Sequence, residues 1–368
     1  MAKEDKNVQD QIKELEDELK KTKYNKKTQF HIGLVKAKIA KLKDKDEQRR
    51  SSGGKGEGYS VKKSGDVTAV LLGFPSVGKS TILNVLTNAN SEVGSYDFTT
   101  LDVIPGLMEH RHAKIQVLDV PGIVRGAASG KGRGREVLSV LRATDLVMVV
   151  IDAQQPQQYE ALLKEIYDAH IRINQKKPDV KIKKTAKDGV KIGSTVKLNH
   201  IDHQTIKSIL KEFKIMNADV LIRDDITIDQ FIDAVEGNKV YIPSILVVNK
   251  IDLCSQSDYK ILEKLKPNLM ISAKNNKGID EFKDLIYDSV GLMNIYLKEP
   301  TKEADLEEPL VIRSNSTIKD LCEKLHKDFV DKFKFVRIWG KSAKFPGQRL
   351  LKMNHVLNDN DIVEIHLR

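Results

Sequence analysis

The chain has 368 residues, 40% of them hydrophobic and 31% charged, with a formal net charge of +10. That length exceeds one compact core and suits several small ones, and no run approaches the roughly 18 apolar residues of a membrane span. The charged start predicts no secretory signal, and two distant cysteines, Cys254 and Cys322, exclude a disulfide framework or a zinc cluster and fit a reducing compartment.

Val8, Ile12, Leu15 and Leu19, then Val35, Ile39 and Leu42, recur at helical spacing. They predict a helical hairpin over 1–50, joined near Tyr24–Thr28. The stretch from Ser51 to Gly58 opens a flexible linker, 51–64, by composition. From residue 65 the pattern becomes α/β. Val67–Leu72, Lys114–Asp119, Leu146–Ile151, Ile245–Val248 and Leu269–Ile271 are short apolar runs with helical patterns between most of them, which predicts a parallel sheet covered on both faces. The gap before Ile245 is too long for one βαβ unit. The excess, 171–240, reads as an inserted α+β subdomain with strands at Val180–Lys184 and Val190–Lys197 and two helices after them. It divides a domain into parts 65–170 and 241–298. In 299–368, Leu310–Arg313, Phe335–Trp339 and Ile362–Leu367 read as strands and Ile318–Val330 as one amphipathic helix, a β-grasp-like module.

Gly73-Phe74-Pro75-Ser76-Val77-Gly78-Lys79-Ser80 follows a predicted strand and precedes a predicted helix at Thr81–Leu86. This is the setting of a phosphate loop. Its backbone, from Gly73 and Pro75 through Ser76, Val77 and Gly78 to Thr81, wraps phosphate oxygens and aims the N–H groups of its non-proline residues at them, and the helix N-terminus adds positive potential. Lys79 is placed to reach the β- and γ-phosphates, and Ser80 to ligate Mg²⁺. Asp119-Val120-Pro121-Gly122 ends the next strand. Asp119 can hold Mg²⁺ through water, and the Gly122 N–H can meet the γ-phosphate. Asn249-Lys250-Ile251-Asp252 follows a later strand; the Asp252 carboxylate, taken as buried and unpaired, accepts two hydrogen bonds from guanine and rejects adenine. In Ser272-Ala273-Lys274 the Ala273 N–H is placed to donate to guanine O6. Between the phosphate loop and Asp119 lies Tyr96-Asp97-Phe98-Thr99-Thr100-Leu101. A threonine there, Thr100 rather than Thr99, can complete the Mg²⁺ shell only when the γ-phosphate is present, so this segment and the one around Gly122 read as a switch.

Gly73–Thr81, Phe98-Thr99-Thr100-Leu101, and Asp119-Val120-Pro121-Gly122-Ile123 with the glycine-rich 126–134 resemble the Obg-related GTPases, and among them the developmentally regulated GTP-binding protein (DRG) branch. The resemblance spans nearly the whole chain. It implies an α/β fold class: a P-loop GTPase domain with a parallel-type sheet, an N-terminal helical hairpin, an inserted α+β subdomain and a C-terminal β-grasp domain like TGS. It implies a cytoplasmic, ribosome-associated translation factor that hydrolyses GTP, a zinc-finger partner protein in eukaryotic members, and stimulation by K⁺. Relatives that use K⁺ usually carry asparagine where Ser76 stands. Ras-like proteins have a water-orienting glutamine where this chain has Ile123, so the intrinsic rate should be slow and need help from elsewhere. Arg125, Lys131, Arg133 and Arg135 in the following stretch are candidates for that help, or for carrying the nucleotide state to an RNA-facing surface. An ATPase, as in one relative, is disfavoured by Asp252. The non-enzymatic alternative is a nucleotide-gated RNA-binding or ribosome-assembly scaffold with incidental turnover.

Charge is concentrated outside the nucleotide motifs. Lys20 to Lys43 holds nine lysines and no acid, Arg172 to Lys197 nine basic residues against Asp179 and Asp188, and Lys332 to Lys352 seven basic residues and no acid. The last is interleaved with Phe333, Phe335, Trp339 and Phe345. Each taken alone reads as a solvated face; three together fit the phosphates of structured RNA, a ribosome by resemblance. No amphipathic anchor or lipidation signal points to a membrane.

Overall fold

The computed structural model describes residues 2–23, 25, 28–51, 65–87, 104–120 and 140–368. Linker residues 52–64 and the two expected switch segments, with Thr99, Thr100, Pro121, Gly122, Ile123 and the basic residues 125–135, lie outside them. The chain forms two compact units, one made of the N-terminal helices with residues 166–241, the other of most of the remaining chain.

In the first unit, helices Ala2–Lys21 and Gln29–Ser51 form the hairpin. Pairs His31–Glu18 at 2.8 Å and Lys43–Glu16 at 3.1 Å set them antiparallel. Ser51, expected to open the linker, closes the second helix. Strands Val180–Lys184, Ala218–Ile222 and Val190–Ser194 form a sheet in that order, and helices His203–Glu212 and Ile228–Glu236 pack on one face of it. The helix starts follow from capping: Asp202 accepts from the Thr205 N–H, and Thr227 with Gln230 makes a reciprocal box.

Hairpin and insert, separated in the sequence reading as 1–50 and 171–240, share one core. Ile32 and Ala37 are buried with Ile206, Ile209, Phe231 and Ile232. Gly33 allows the close approach, since a Cβ there would lie 2.6 Å from Thr205 Cγ2.

A buried ion pair anchors the insert's base. Arg172 Nε and Nη2 donate to Asp233 at 2.7 and 2.8 Å, Nη1 donates to the Tyr167 carbonyl at 2.9 Å, and the guanidinium lies 3.6 Å from the centre of the Tyr167 ring. The two side chains are 3% and 6% exposed. Desolvation pushes the Tyr167 hydroxyl up to about 12. Asp233→Ala leaves the guanidinium buried without its carboxylate, and we expect it to cost about 3–5 kcal/mol. Urea unfolding measures this; a loss under about 1 kcal/mol, the worth of a surface pair, contradicts the assignment.

In the second unit, six strands run in the order Leu269–Met270, Ser244–Asn249, Leu146–Asp152, Val67–Leu72, Ala113–Asp119 and Ile104–His110. The first five are parallel, as the apolar runs predict. The sixth is antiparallel and was not expected, so the sheet is mixed rather than parallel. It contains Pro105, which an edge strand tolerates.

The C-terminal sheet begins before the expected boundary at 299. Helix Ile279–Val290 ends at Gly291, and the next strand, Leu292–Leu297, pairs with Leu310–Arg313 and Asp361–Leu367. Phe333–Trp339 and Gln348–Leu350 complete a five-stranded sheet. The single expected helix is two, Ile318–Leu325 and Lys327–Asp331, because His326 is extended at φ −166°. Lys324 to Asp66 at 2.7 Å and Arg313 to Asp145 tie this module to the residues just before strands Val67–Leu72 and Leu146–Asp152. Those are the N-terminal ends of the strands, opposite the site described next.

Candidate functional site

The candidate residues within the described chain converge at the C-terminal ends of the parallel strands, where open α/β sheets bind ligands. Strand pairing is the reason. Leu71 pairs with Asp119, and Asn249 with Asp152, so the segments that follow emerge side by side.

The loop Gly73–Gly78 turns tightly into helix Lys79–Leu86, which begins two residues before the predicted start at Thr81. Ser76 and Gly78 have φ of +65° and +94°. A Cβ on Gly78 would lie 2.4 Å from Asn249 Nδ2, so glycine is required for space and for backbone conformation alike. Asn249 Nδ2 donates to the Val77 carbonyl at 3.0 Å and fixes the loop from the neighbouring strand end. Pro75, Ser76, Ser80 and Thr81 lie toward solvent.

Lys79 is only 8% exposed. Its ammonium donates to the Gly73 and Phe74 carbonyls at 3.2 and 3.3 Å, and among the described residues it forms no ion pair. Burial lowers its pKa, partly offset by the Asp119 carboxylate nearby. A desolvated cation held by two carbonyls is matched to an anion at the loop. Beside it, Ser80 Oγ donates to Asp119 Oδ2 at 2.7 Å, while the buried Asp119 Oδ1 has no hydrogen-bond partner among the described residues. A hydroxyl and a carboxylate with a vacant acceptor form an all-oxygen set suited to a hard divalent cation.

The base-recognition end departs from expectation in two respects. Asp252 is exposed, not buried, and its Oδ1 accepts from Ser272 Oγ at 2.6 Å; that bond holds its pKa below the usual carboxylate value. The Ala273 N–H, expected to face a ligand, donates to Asn249 Oδ1 at 3.0 Å. Asn249 thus links the phosphate loop to Ser272–Lys274. Lys274 is exposed.

Sequence reasoning missed Asp152. Its Oδ2 pairs with Lys250 Nζ at 2.7 Å, and its Oδ1 accepts from the Gln154 N–H at 3.0 Å. Lys250, at φ +67°, also donates to the Ser76 carbonyl at 2.6 Å. The available signal was its place: a carboxylate ending a buried strand, as Asp119 does. Asp152→Asn removes the charge that holds Lys250 across the loop. We expect nucleotide to dissociate about tenfold faster, the kinetic effect of losing one charge-assisted bond; a fluorescent-GDP chase measures it, and an unchanged rate contradicts the role.

The fold and site define a P-loop nucleotide-binding protein. A family model described as 50S ribosome-binding GTPase matches residues 68–184, one for the C-terminal region of that domain matches 187–292, and one for the TGS domain matches 293–367. An uncharacterized GTP-binding protein of Methanocaldococcus jannaschii is 53% identical over 98% of this chain and 93% of its own. Developmentally-regulated G-protein 3 of Arabidopsis thaliana is 43% identical over 97% of this chain and 98% of its own, and developmentally-regulated GTP-binding protein 1 of Xenopus laevis is 41% identical over 96% and 97%. The chain belongs to the developmentally regulated GTP-binding protein family, with a GTPase domain and a TGS domain.

Proposed function

We propose that this chain is a slow, Mg²⁺-dependent GTPase that uses its nucleotide state to control attachment to the ribosome. The observation that carries the nucleotide half is Lys79: a lysine residue 8% exposed, with no ion pair among the described residues, next to an Asp119 oxygen that has no hydrogen-bond partner among them. Lys79 holds the β- and γ-phosphates, and the backbone of Gly73–Thr81 surrounds them. Ser80 and, through water, Asp119 would hold Mg²⁺, which would supply neutralisation of phosphate charge there. Asp252 accepts from guanine, with Asn249, Lys250 and Ser272–Lys274 as its frame. Thr100 and Gly122 sense the γ-phosphate. Ile123 offers no group to orient water, so turnover awaits help from a partner, from a basic residue of 125–135 or from K⁺.

The ribosome half is supported by the matching family description, by the net charge of +10 and by the three basic segments. A cytoplasmic location fits that partner, and among the described residues no helix is long and apolar enough to cross a membrane. The zinc-finger partner rests on the family resemblance alone. Phosphate release from GTP tests the reading. We expect slow release with Mg²⁺, loss of release with EDTA, and acceleration by ribosomes. Release that stays negligible with ribosomes and K⁺ together favours the scaffold with incidental turnover. Equal rates in K⁺ and Na⁺ remove the K⁺ assignment.

A further inference from the structure

The C-terminal sheet carries, on its outer face, a group of side chains that the nucleotide site does not use. Strands Gln348–Leu350, Phe333–Trp339 and Asp361–Leu367 lie side by side. Val336, Ile338, Leu350, Val363 and Ile365 belong to the core under the helices. Alternation therefore puts Phe335, Arg337, Arg349, Glu364 and His366 on the opposite face.

On that face Phe335 has a flat neighbour from the strand on either side. The His366 ring stacks on it at 4.2 Å and 15°, and the Arg349 guanidinium lies 4.0 Å from its centroid. Arg337 stands directly opposite Arg349 on one side and Glu364 on the other. Glu364 is buried, and its oxygens are engaged by Lys298 and by His366. Among the described residues neither arginine forms an ion pair. Like charges directly opposite each other cost stability. Two guanidinium forks that form no ion pair among the described residues, with Glu364 already engaged by Lys298 and His366, offer a seat for a phosphate. Both arginines belong to the stretch Lys332–Lys352, which holds seven basic residues and no acid.

The stack decides the occupant. An acidic peptide would satisfy the arginines but not the flat faces of Arg349 and His366. Duplex RNA presents phosphates but keeps its bases stacked inside. An unpaired strand presents both.

We infer that this face binds an unpaired segment of RNA, with a phosphate between Arg337 and Arg349 and a base against the His366–Phe335–Arg349 stack. The inference rests on the reading that the basic segments meet RNA, and it adds the place and the form of that RNA.

The test is fluorescence anisotropy of the full chain with a short labelled single-stranded RNA of mixed sequence and with a hairpin duplex of equal length. The single strand should bind more tightly than the duplex. Arg337→Gln with Arg349→Gln should weaken it about tenfold or more, and should lower the salt slope by roughly 0.7 for each phosphate no longer neutralised. His366→Ala should weaken it about fivefold. Lys319→Gln with Lys327→Gln removes equal charge from the helix side of the same module and should leave binding nearly unchanged. Unaltered GTP affinity in each variant shows that the chain is folded. Equal losses in the two double variants would overturn the seat, and tighter binding of the duplex would overturn the occupant. Ribosome binding without single-strand binding would sink this inference and leave the broader RNA reading standing; binding to neither would remove both.

Discussion

Asp252→Ala is expected to weaken GTP and GDP binding by about two to four orders of magnitude without unfolding the chain. That range follows from two hydrogen bonds to a charged acceptor, about 1.5–3 kcal/mol each, at 1.4 kcal/mol per decade. Because Asp252 is exposed, its removal leaves no buried charge, and the fold should tolerate it. Discrimination cannot come from a desolvated carboxylate that lacks a partner. In the proposed function it comes from donor–acceptor matching: Ser272 holds one oxygen in place at 2.6 Å, and the lowered pKa keeps the group a pure acceptor at neutral pH. ATP binding should not improve, since adenine has no donor pair for the site. Calorimetric titration measures these affinities. A GTP loss under about tenfold, less than one such bond, would remove Asp252 from the recognition machinery.

Lys79→Met is expected to move two quantities in opposite directions. GTP affinity should fall by about a hundredfold or more, the effect of losing charge-assisted bonds to two phosphates. The nucleotide-free protein should melt at a higher temperature. Burial is the largest cause of the lowered Lys79 pKa, so the ammonium opposes folding. Methionine fills similar volume without that charge. The sign in pH follows. The penalty is complete below the lowered folded pKa and fades as pH rises through it toward 10.5, the ordinary value, because the unfolded chain binds more protons in that window. Wild-type stability should therefore gain on the methionine variant as pH rises. Melting curves at neutral and alkaline pH check both points; a variant that melts lower than wild type would mean that the bonds to Gly73 and Phe74 outweigh the desolvation.

The described part of the candidate site was legible because phosphate-loop chemistry restricts the residue types. A glycine loop ending in Lys79-Ser80, and carboxylates or amides at the ends of apolar strands, announce themselves in order. What escaped had no such restriction. Strand Ile104–His110 is an edge with Pro105 and exposed positions, so it shows no apolar run. Ala218–Ile222 lies between helices His203–Glu212 and Ile228–Glu236, whose helical patterns take up its apolar residues. The break at His326 is hidden because Leu325 and Phe329 keep the helical period across it. The common core of Ile32, Ala37 and Phe231 joins segments nearly two hundred positions apart, roughly the span of a whole domain. Asp152 acts only through Lys250, and a lone carboxylate at a strand end does not reveal its partner. The Asn249 bridge, which takes up the Ala273 N–H, is a packing outcome that the short motifs do not encode.

The function proposed for this chain is a nucleotide-operated hold on the ribosome. Sedimentation of the pure 368-residue chain with ribosomes at physiological salt, in a non-hydrolysable GTP analogue or in GDP, is the test. We expect clearly more protein in the pellet with the analogue. Equal amounts in the two states would contradict the switch, and no protein in either pellet would reduce the function to the chemistry of the strand ends alone.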